Sequence, residues 1–538
     1  MNVSKKISIF LVACLLLTGC GTTSVQESKP TVPVITQDEL ITKETSADAT
    51  RISLSDDGII VNGEAISTDD TAAVYAANDI VFYLEGQDFT YGEGEKEDAH
   101  SQAEANAHTV VHITQPGEYI LSGTLSAGQI AVDLGEEAKE DPNAVVTLVL
   151  DGADVTCTVA PAVIFYNVYE CGVADEEGAT MEVDTTTAGA NVILADGSEN
   201  NIKGSYVARI YKSVELNEAG TEIVDSEKLH KYDGAFYSKM SLNIYGEKSG
   251  DGVLNIYAEN EGLDSELHLT QFSGNVYIES GNDGINTNAD NVSVTHILGG
   301  TLNVVITGST GEGDGIDSNG WLVIDGGKVT ASACGFSADA GVDADKGVYI
   351  RGGQVAASGN MFDHVETEQT CAVFTFAQRQ TGGETITLKT EANSPVVSYT
   401  PTNDFQYLVV SAPNLTPGNY TLWQGENQLS GSKMEMQMGG GMQGGERPEF
   451  PEGMEMPEGG FPEMPEGMEP PEGNRPKPPE GMGKPDGMFP AQGERPEGNP
   501  GQQPGKMGGG PGMEQTDAQE VSNIFVITKG SNSFQIAG

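Results

Sequence analysis

Positive charge is scarce in this chain: 27 lysines and arginines stand against 80 acidic residues, and the formal net charge is −53. A field of that sign repels nucleic acid and anionic lipid, which excludes both as partners recognised by charge. Aromatics make up 7% of the residues, with only two tryptophans, while glycine occurs 69 times. That balance excludes a core of stacked large rings and favours a narrow one of small and β-branched side chains. The seven histidines are scattered and no Cys-x-x-Cys pair occurs, so zinc-hydrolase and thioredoxin-like signatures are both missing. There is no Walker phrase, and the Gly-rich turns lack a following helix, which removes a nucleotide site. No long stretch holds a 3.6-residue apolar period.

What the chain does have is a phrase that returns along its middle third. It reads Gly262-Leu263-Asp264, Gly284-Ile285-Asn286, Gly315-Ile316-Asp317 and Gly341-Val342-Asp343. Between the copies run short alternating apolar pairs. The first pairs include Leu242/Ile244, Val292/Val294, Leu322/Ile324 and Val348/Ile350; the second include Leu254/Ile256, Val276/Ile278, Leu302/Val304 and Val329/Ala331. Alternation over three to five residues is the strand pattern. Gly299-Gly300, Gly326-Gly327 and Gly352-Gly353 supply turns. Two such strands plus the Gly-Φ-Asp strand make three per repeat. The fold expected is all-β, a right-handed parallel β-helix in which each coil stacks on the last. A β-sandwich of hairpins would not return the acidic phrase at one register.

The organisation follows from composition. Lys5-Lys6 and the apolar run Ile7 to Leu17 form a secretion signal too short to span a membrane. Its ending, Leu17-Thr18-Gly19-Cys20, resembles the bacterial lipobox, which implies lipidation at Cys20 and an extracellular protein held to the membrane by lipid. Residues 1–20 are read as this signal, 21–50 as a flexible tether and 51–430 as the β-helix. Residues 431–520 hold 12 of the 16 methionines and 16 of the 25 prolines and no Val, Ile or Leu. They are expected to be a disordered insert, because they cannot bury enough apolar surface to order themselves. Met434, Met436 and Met438 form a pattern suited to a soft ion, against a plain Met-rich insert. Residues 521–538, with Asn523-Ile524-Phe525-Val526-Ile527, are read as a strand returning to the fold. Cys157, Cys171, Cys334 and Cys371 remain after processing; as two disulfides they allow three connectivities, and as single residues they read as buried hydrophobes.

Repeated turns aim acidic side chains at one corner of successive coils, and stacked carboxylates repel unless a cation lies between them. Residues 262–360 carry 12 acidic and 3 basic residues. Calcium takes six to eight oxygen ligands in irregular geometry, which suits such turns. The candidate ligands are Asp264, Asp283, Asn286, Asp314, Asp317, Asp339 and Asp343, with Asp233 one coil earlier. The competing reading is that these side chains cap turns through their own backbone. For sugar stacking the candidates are Trp321, Tyr232, Tyr237 and Tyr245. A lyase would need a base, and Arg351, Lys328 and Lys346 are the only ones in the central coils. Glycoside hydrolysis needs a facing carboxylate pair, which so acidic a chain does not single out.

The order Val145–Gly152, Asn191–Gly197, Asp233–Lys239 and then the Asp-Gly-Ile-Asp copies resembles a family of carbohydrate-binding β-helix proteins of bacterial surfaces. Its best-known clostridial member binds cellulose and pectic acid sugars and carries calcium. The resemblance covers roughly 75–425 and the last strand. It implies a parallel β-helix, bound Ca2+ and non-catalytic binding of an acidic glycan or cellulose. This chain departs from the pattern where Asn286 replaces Asp and where Ala340 replaces an acidic residue. The alternatives kept beside this reading are a calcium-dependent pectate lyase and a structural or adhesive surface rod.

Overall fold

The computed structural model describes residues 41–172, 175–434 and 521–537. The expected signal sequence with Cys20, most of the expected tether, and the expected insert from residue 435 with Met436 and Met438 lie outside the described residues. The described chain is nearly all β, with one four-residue helix at Gln102–Ala105 and one short 3-10 turn. None of its helices is long and apolar enough to cross a membrane.

Three ladders of parallel strands run side by side through residues 109–367. The motif ladder contains Thr109–Ile113, Gly128–Asp133, Val163–Asn167, Gly234–Ser238, Glu261–Ser265 and Ile285–Thr287, and it continues through a bridge from Ile285 to Ile316. The second ladder runs from Gly117–Leu125 through Ala190–Leu194, Leu242–Gly246, Leu269–Gln271, Val294–Ile297 and Trp321–Ile324 to Val365–Thr367. The third contains Glu199–Gly204, Val253–Ala258, Asn275–Ser280, Thr301–Ile306, Lys328–Ser332 and Gln354–Gly359. Neighbours pair in register, as Leu254, Val276 and Leu302 do in succession. Period-2 alternation drives this arrangement. Leu254, Ile256, Val276, Ile278, Leu302 and Val304 all point inward and are buried, each contributing about 1.5–3 kcal/mol. The odd residues between them face outward and stay partly exposed.

The glycine of the repeated phrase is set by close approach of coils rather than by a special φ. A Cβ on Gly284 would meet Val304 Cγ1 at 2.1 Å and Gly315 O at 2.5 Å; on Gly262 it would meet Ile278 Cγ2 at 2.3 Å. Just after Tyr237, Asp264, Asn286 and Asp317, the side chains of Ser238, Ser265, Thr287 and Ser318 are buried as an internal polar ladder, with Thr287 Oγ1 donating to Ser318 Oγ at 2.8 Å. These bonds satisfy hydroxyls that burial would otherwise penalise.

Three regions differ from the expected layout. Residues 41–49 are not free of the fold. Ile41 and Ala49 pack against Tyr245, Phe272 and Ile193, and Lys43 Nζ lies 5.2 Å from the Tyr245 ring centroid. Residues 207–232 form a separate antiparallel hairpin, Val207–Leu216 with Ile223–Tyr232, turning at Gly220 with φ +68°. From Cys371 onward the parallel pattern is replaced by antiparallel strands around a second core that includes Phe374, Phe405, Leu422, Phe525 and Phe534. Ile386–Thr390 pairs with Pro395–Tyr399 across a tight turn, and Cys371–Gln380 pairs with Phe405–Ser411, so the parallel ladders stop short of the expected range of 51–430. Phe525–Ile527 pairs with Gly418–Gln424, and Ser531–Ile536 runs parallel to Cys371–Gln380. The four cysteines are free thiols in the structure, and burial pushes the thiols of Cys157 and Cys371 up to about 12.

Candidate metal centre

The motif ladder places two columns of mostly polar side chains three residues apart along each copy of the phrase. One column holds Glu261, Asp283, Asp314 and Ala340 at the residue before the glycine. The other follows the register Tyr237, Asp264, Asn286 and continues to Asp317 and Asp343, whose amides donate to Ile285 O at 2.8 Å and Ile316 O at 2.9 Å. Stacking rungs about 4.8 Å apart brings carboxylates of neighbouring coils close enough to share an ion.

Two carboxylate triads result. Asp233, Glu261 and Asp264 form one, and Asp314, Asp317 and Asp343 the other; within each, one oxygen per residue lies within 4.8 Å of the others. The first triad is deeply buried, with Glu261 5% exposed, Asp264 0% and Asn286, beside them, 8%. Asn286 Nδ2 donates to Glu261 Oε1 at 3.2 Å, and Asn288 Nδ2 donates to Asp264 Oδ1 at 2.7 Å. The remaining oxygens, Glu261 Oε2, Asp264 Oδ2 and Asn286 Oδ1, are buried without a hydrogen-bond partner. Unsatisfied buried oxygens cost about 1–3 kcal/mol each or more when charged, so this donor set, gathered around a carboxylate cluster, fits a hard cation. Lys231, at the root of the hairpin, contacts Asp233 Oδ2.

Burial and mutual repulsion raise the acids. Burial, then Asp233, holds Glu261 well above the carboxylate range, and burial, then Glu261, does the same to Asp264. In the second triad burial, reinforced by neighbouring aspartates, pushes Asp314 to about 8, Asp317 to about 7 and Asp343 to about 6. Asp283 reaches about 6, again through burial. No lysine or arginine forms an ion pair with the second triad among the described residues.

Some expected ligands also serve the backbone. Asp283 Oδ1 accepts from Asp314 N at 2.6 Å, and Asp314 Oδ1 from Ala340 N at 2.5 Å. Asp339 accepts from Gly313 N at 2.8 Å and from the Ser337 hydroxyl, and belongs to neither triad; it is a turn cap. Glu261 was not singled out by sequence reasoning, although it opens its copy of the phrase just as Asp283 and Asp314 open theirs. Asp363 is another omission: its Oδ2 is buried without a partner, and burial raises its carboxyl.

The sugar-stacking candidates fare differently. Tyr232 is 6% exposed, Tyr237 2% and Tyr245 5%. Tyr232 is wedged between Tyr166 and Tyr237, Tyr237 donates to Glu266 Oε1 at 2.5 Å, and Tyr245 stacks on Phe272 at 4.5 Å. All three are packing residues, because the hairpin root and residues 41–49 cover them. Trp321 is half-buried at the start of its strand. The base candidates also separate. Arg351 Nε and Nη2 grip Asp325 at 2.7 and 2.6 Å, and Nη1 grips Glu182 at 2.5 Å. Those bonds raise the guanidinium further and keep it protonated. Lys328 and Lys346 are exposed.

The chain is similar to a polysaccharide lyase-like protein from C. thermocellum solved as a gadolinium derivative, at 18% identity and a TM-score of 0.31, over 60% of this chain and 90% of that one. No curated protein matches. A family model described as carbohydrate-binding domain-containing protein matches residues 107–389, more than half of the sequence and the whole of the parallel ladders from Gly117 on. The chain therefore belongs to the carbohydrate-binding domain-containing protein family.

Proposed function

We propose that this is a calcium-dependent polysaccharide-binding protein of the bacterial surface, lipid-anchored through Cys20. Its three ladders are the faces of a right-handed parallel β-helix. The observation that carries the calcium reading is the cluster of Asp233, Glu261 and Asp264, with one carboxylate oxygen of each within 4.8 Å of the others, beside the donor-free buried oxygens Glu261 Oε2, Asp264 Oδ2 and Asn286 Oδ1. Asp233, Glu261, Asp264 and Asn286 would hold one ion, and Asp314, Asp317 and Asp343 another. Calcium held there would supply charge neutralisation, and the ion at the half-buried second triad would be the one within reach of uronate oxygens. The protein's own part is to fix the carboxylates by stacked strands, so that they meet only when the coils are formed and binding stabilises the fold by mass action.

Binding without cleavage is favoured over lyase action because Arg351 is committed to Asp325 and Glu182. A guanidinium held in a bidentate ion pair is a poor proton acceptor. The test is retention of the mature chain on insoluble polygalacturonate in calcium, with ultraviolet absorbance followed for unsaturated product. Retention without absorbance supports the proposal; rising absorbance replaces it with a lyase, and no retention removes calcium-dependent binding of an acidic glycan.

A further inference from the structure

The three ladders present very different outer surfaces. The second is covered by its own chain: residues 41–49 lie over Tyr245 and Phe272, Glu182 bonds Arg351, and Thr185 bonds Thr270. The motif ladder is acidic. The third is neither covered nor strongly charged. Along it the outward residues Asn201, Asn255, Tyr277, Asn303 and Thr330 occupy one row in register across successive strands, all half-buried rather than enclosed. Tyr257 stands in the next row beside Glu279, its ring 6.1 Å from that of Tyr277 and inclined by 59°.

We propose that this outer face of the third ladder is a binding surface for an uncharged polysaccharide, separate from the cation sites. The inference rests on the polysaccharide-binding reading and adds where on the protein the contact is made. Charge is the first argument. Asp154, Glu199 and Glu279 are nearly balanced on this face by Lys203 and Lys328, in a protein whose net charge is −53. A near-neutral strip on so acidic a body matches an uncharged ligand and offers nothing to a polyanion without cations.

Chemistry is the second argument. Amides and hydroxyls in a row both donate and accept, as sugar hydroxyls do. They are tied laterally rather than buried: Asn255 Nδ2 donates to Asn201 Oδ1 at 3.1 Å, Thr330 Oγ1 to Asn303 Oδ1 at 3.0 Å, and Tyr277 to Glu279 Oε2 at 3.0 Å. Such bonds hold the side chains in place before a ligand arrives, which lowers the entropy cost of binding. Two half-buried tyrosine rings supply apolar edges with polar tips, with Lys203 Nζ 5.7 Å from the Tyr257 centroid. Strands about 4.8 Å apart repeat at close to the length of one pyranose residue, so a chain lying across the strands meets one new rung per sugar. The strip ends where Ala356 is covered by the antiparallel second core.

The test uses the full mature chain, with calcium present throughout so that the fold is constant. Migration is compared in native gels containing hydroxyethylcellulose, polygalacturonate or no polysaccharide. We expect the wild type to be retarded by hydroxyethylcellulose. The double variant Tyr257→Ala/Tyr277→Ala should lose that affinity at least ten-fold while keeping its response to polygalacturonate. Asn303→Ala, which removes one acceptor from the same row, should weaken it about three-fold and keeps the test decisive should the double variant unfold. Retardation of both variants equal to wild type overturns the assignment. So does a wild type held by polygalacturonate alone, which leaves the broader polysaccharide reading standing. A wild type retarded by neither polymer contradicts both.

Discussion

Asn286 donates its amide to Glu261 Oε1 at 3.2 Å across two rungs of the motif ladder, and its own Oδ1 has no donor. A residue that lacks the charge of its counterparts Asp264 and Asp317 thus contributes a neutral oxygen to the most buried acidic site. Replacing it by aspartate should separate two effects of charge. Asn286→Asp should lower stability in chelator by about 1–3 kcal/mol, through lost donation and added repulsion. In calcium the loss should shrink or reverse, measured as the melting temperature in each condition.

The second triad predicts a pH dependence. Folded values of about 8, 7 and 6 for Asp314, Asp317 and Asp343 lie above the ordinary aspartate value near 3.9. The folded state therefore holds more protons than the unfolded state between those limits, and stability falls as pH rises. In chelator the melting temperature should drop from about pH 4 to about pH 8, and calcium should restore most at the upper end. A melting temperature that is flat in chelator would contradict the burial of these acids.

Asp325 behaves in the opposite sense. Burial raises its carboxyl, but bonds from His296 and Arg351 outweigh that and bring it down to about 2. Its stabilising contribution is present above the ordinary carboxylate value near 3.9 and is lost as pH falls toward 2. Arg351→Ala should lower the folding free energy by about 2 kcal/mol at neutral pH in a denaturant titration. The same variant should leave calcium binding unchanged.

Close stacking at the repeated glycine gives a steric prediction. Gly284→Ala drives a methyl into Val304 and the carbonyl of Gly315, at about 3 kcal/mol or more. Denaturant midpoints of this variant and of Gly220→Ala would show whether the cost belongs to coil stacking. Gly220 meets nothing within 4 Å but has φ +68°, so its cost should be confined to local strain of about 1 kcal/mol.

The parts legible in sequence were those set by local repetition. Leu254/Ile256 and Val276/Ile278 alternate because adjacent side chains face opposite sides of a strand, and they pair as such. Gly-Φ-Asp marked the corner where Asp317 and Asp343 meet Asp314. Glu261 occupies the same column as Asp283 and Asp314 with a longer carboxylate, so an Asp-based repeat does not mark it. For Tyr232, Tyr237 and Tyr245 sequence leaves stacking and packing both open, because their covers come from distant or irregular segments, the hairpin root and residues 41–49. The outward row through Asn255, Tyr277 and Asn303 was invisible until register fixed which odd residues stand side by side.

The most direct measurement of the central claim is retention on insoluble polygalacturonate as calcium is raised. Wild type and Asp317→Asn would be compared at a temperature where both are folded by circular dichroism. The account predicts calcium-dependent retention of the wild type and a shift of the Asp317→Asn curve to at least several-fold higher calcium. Identical curves, or retention indifferent to calcium, would contradict it.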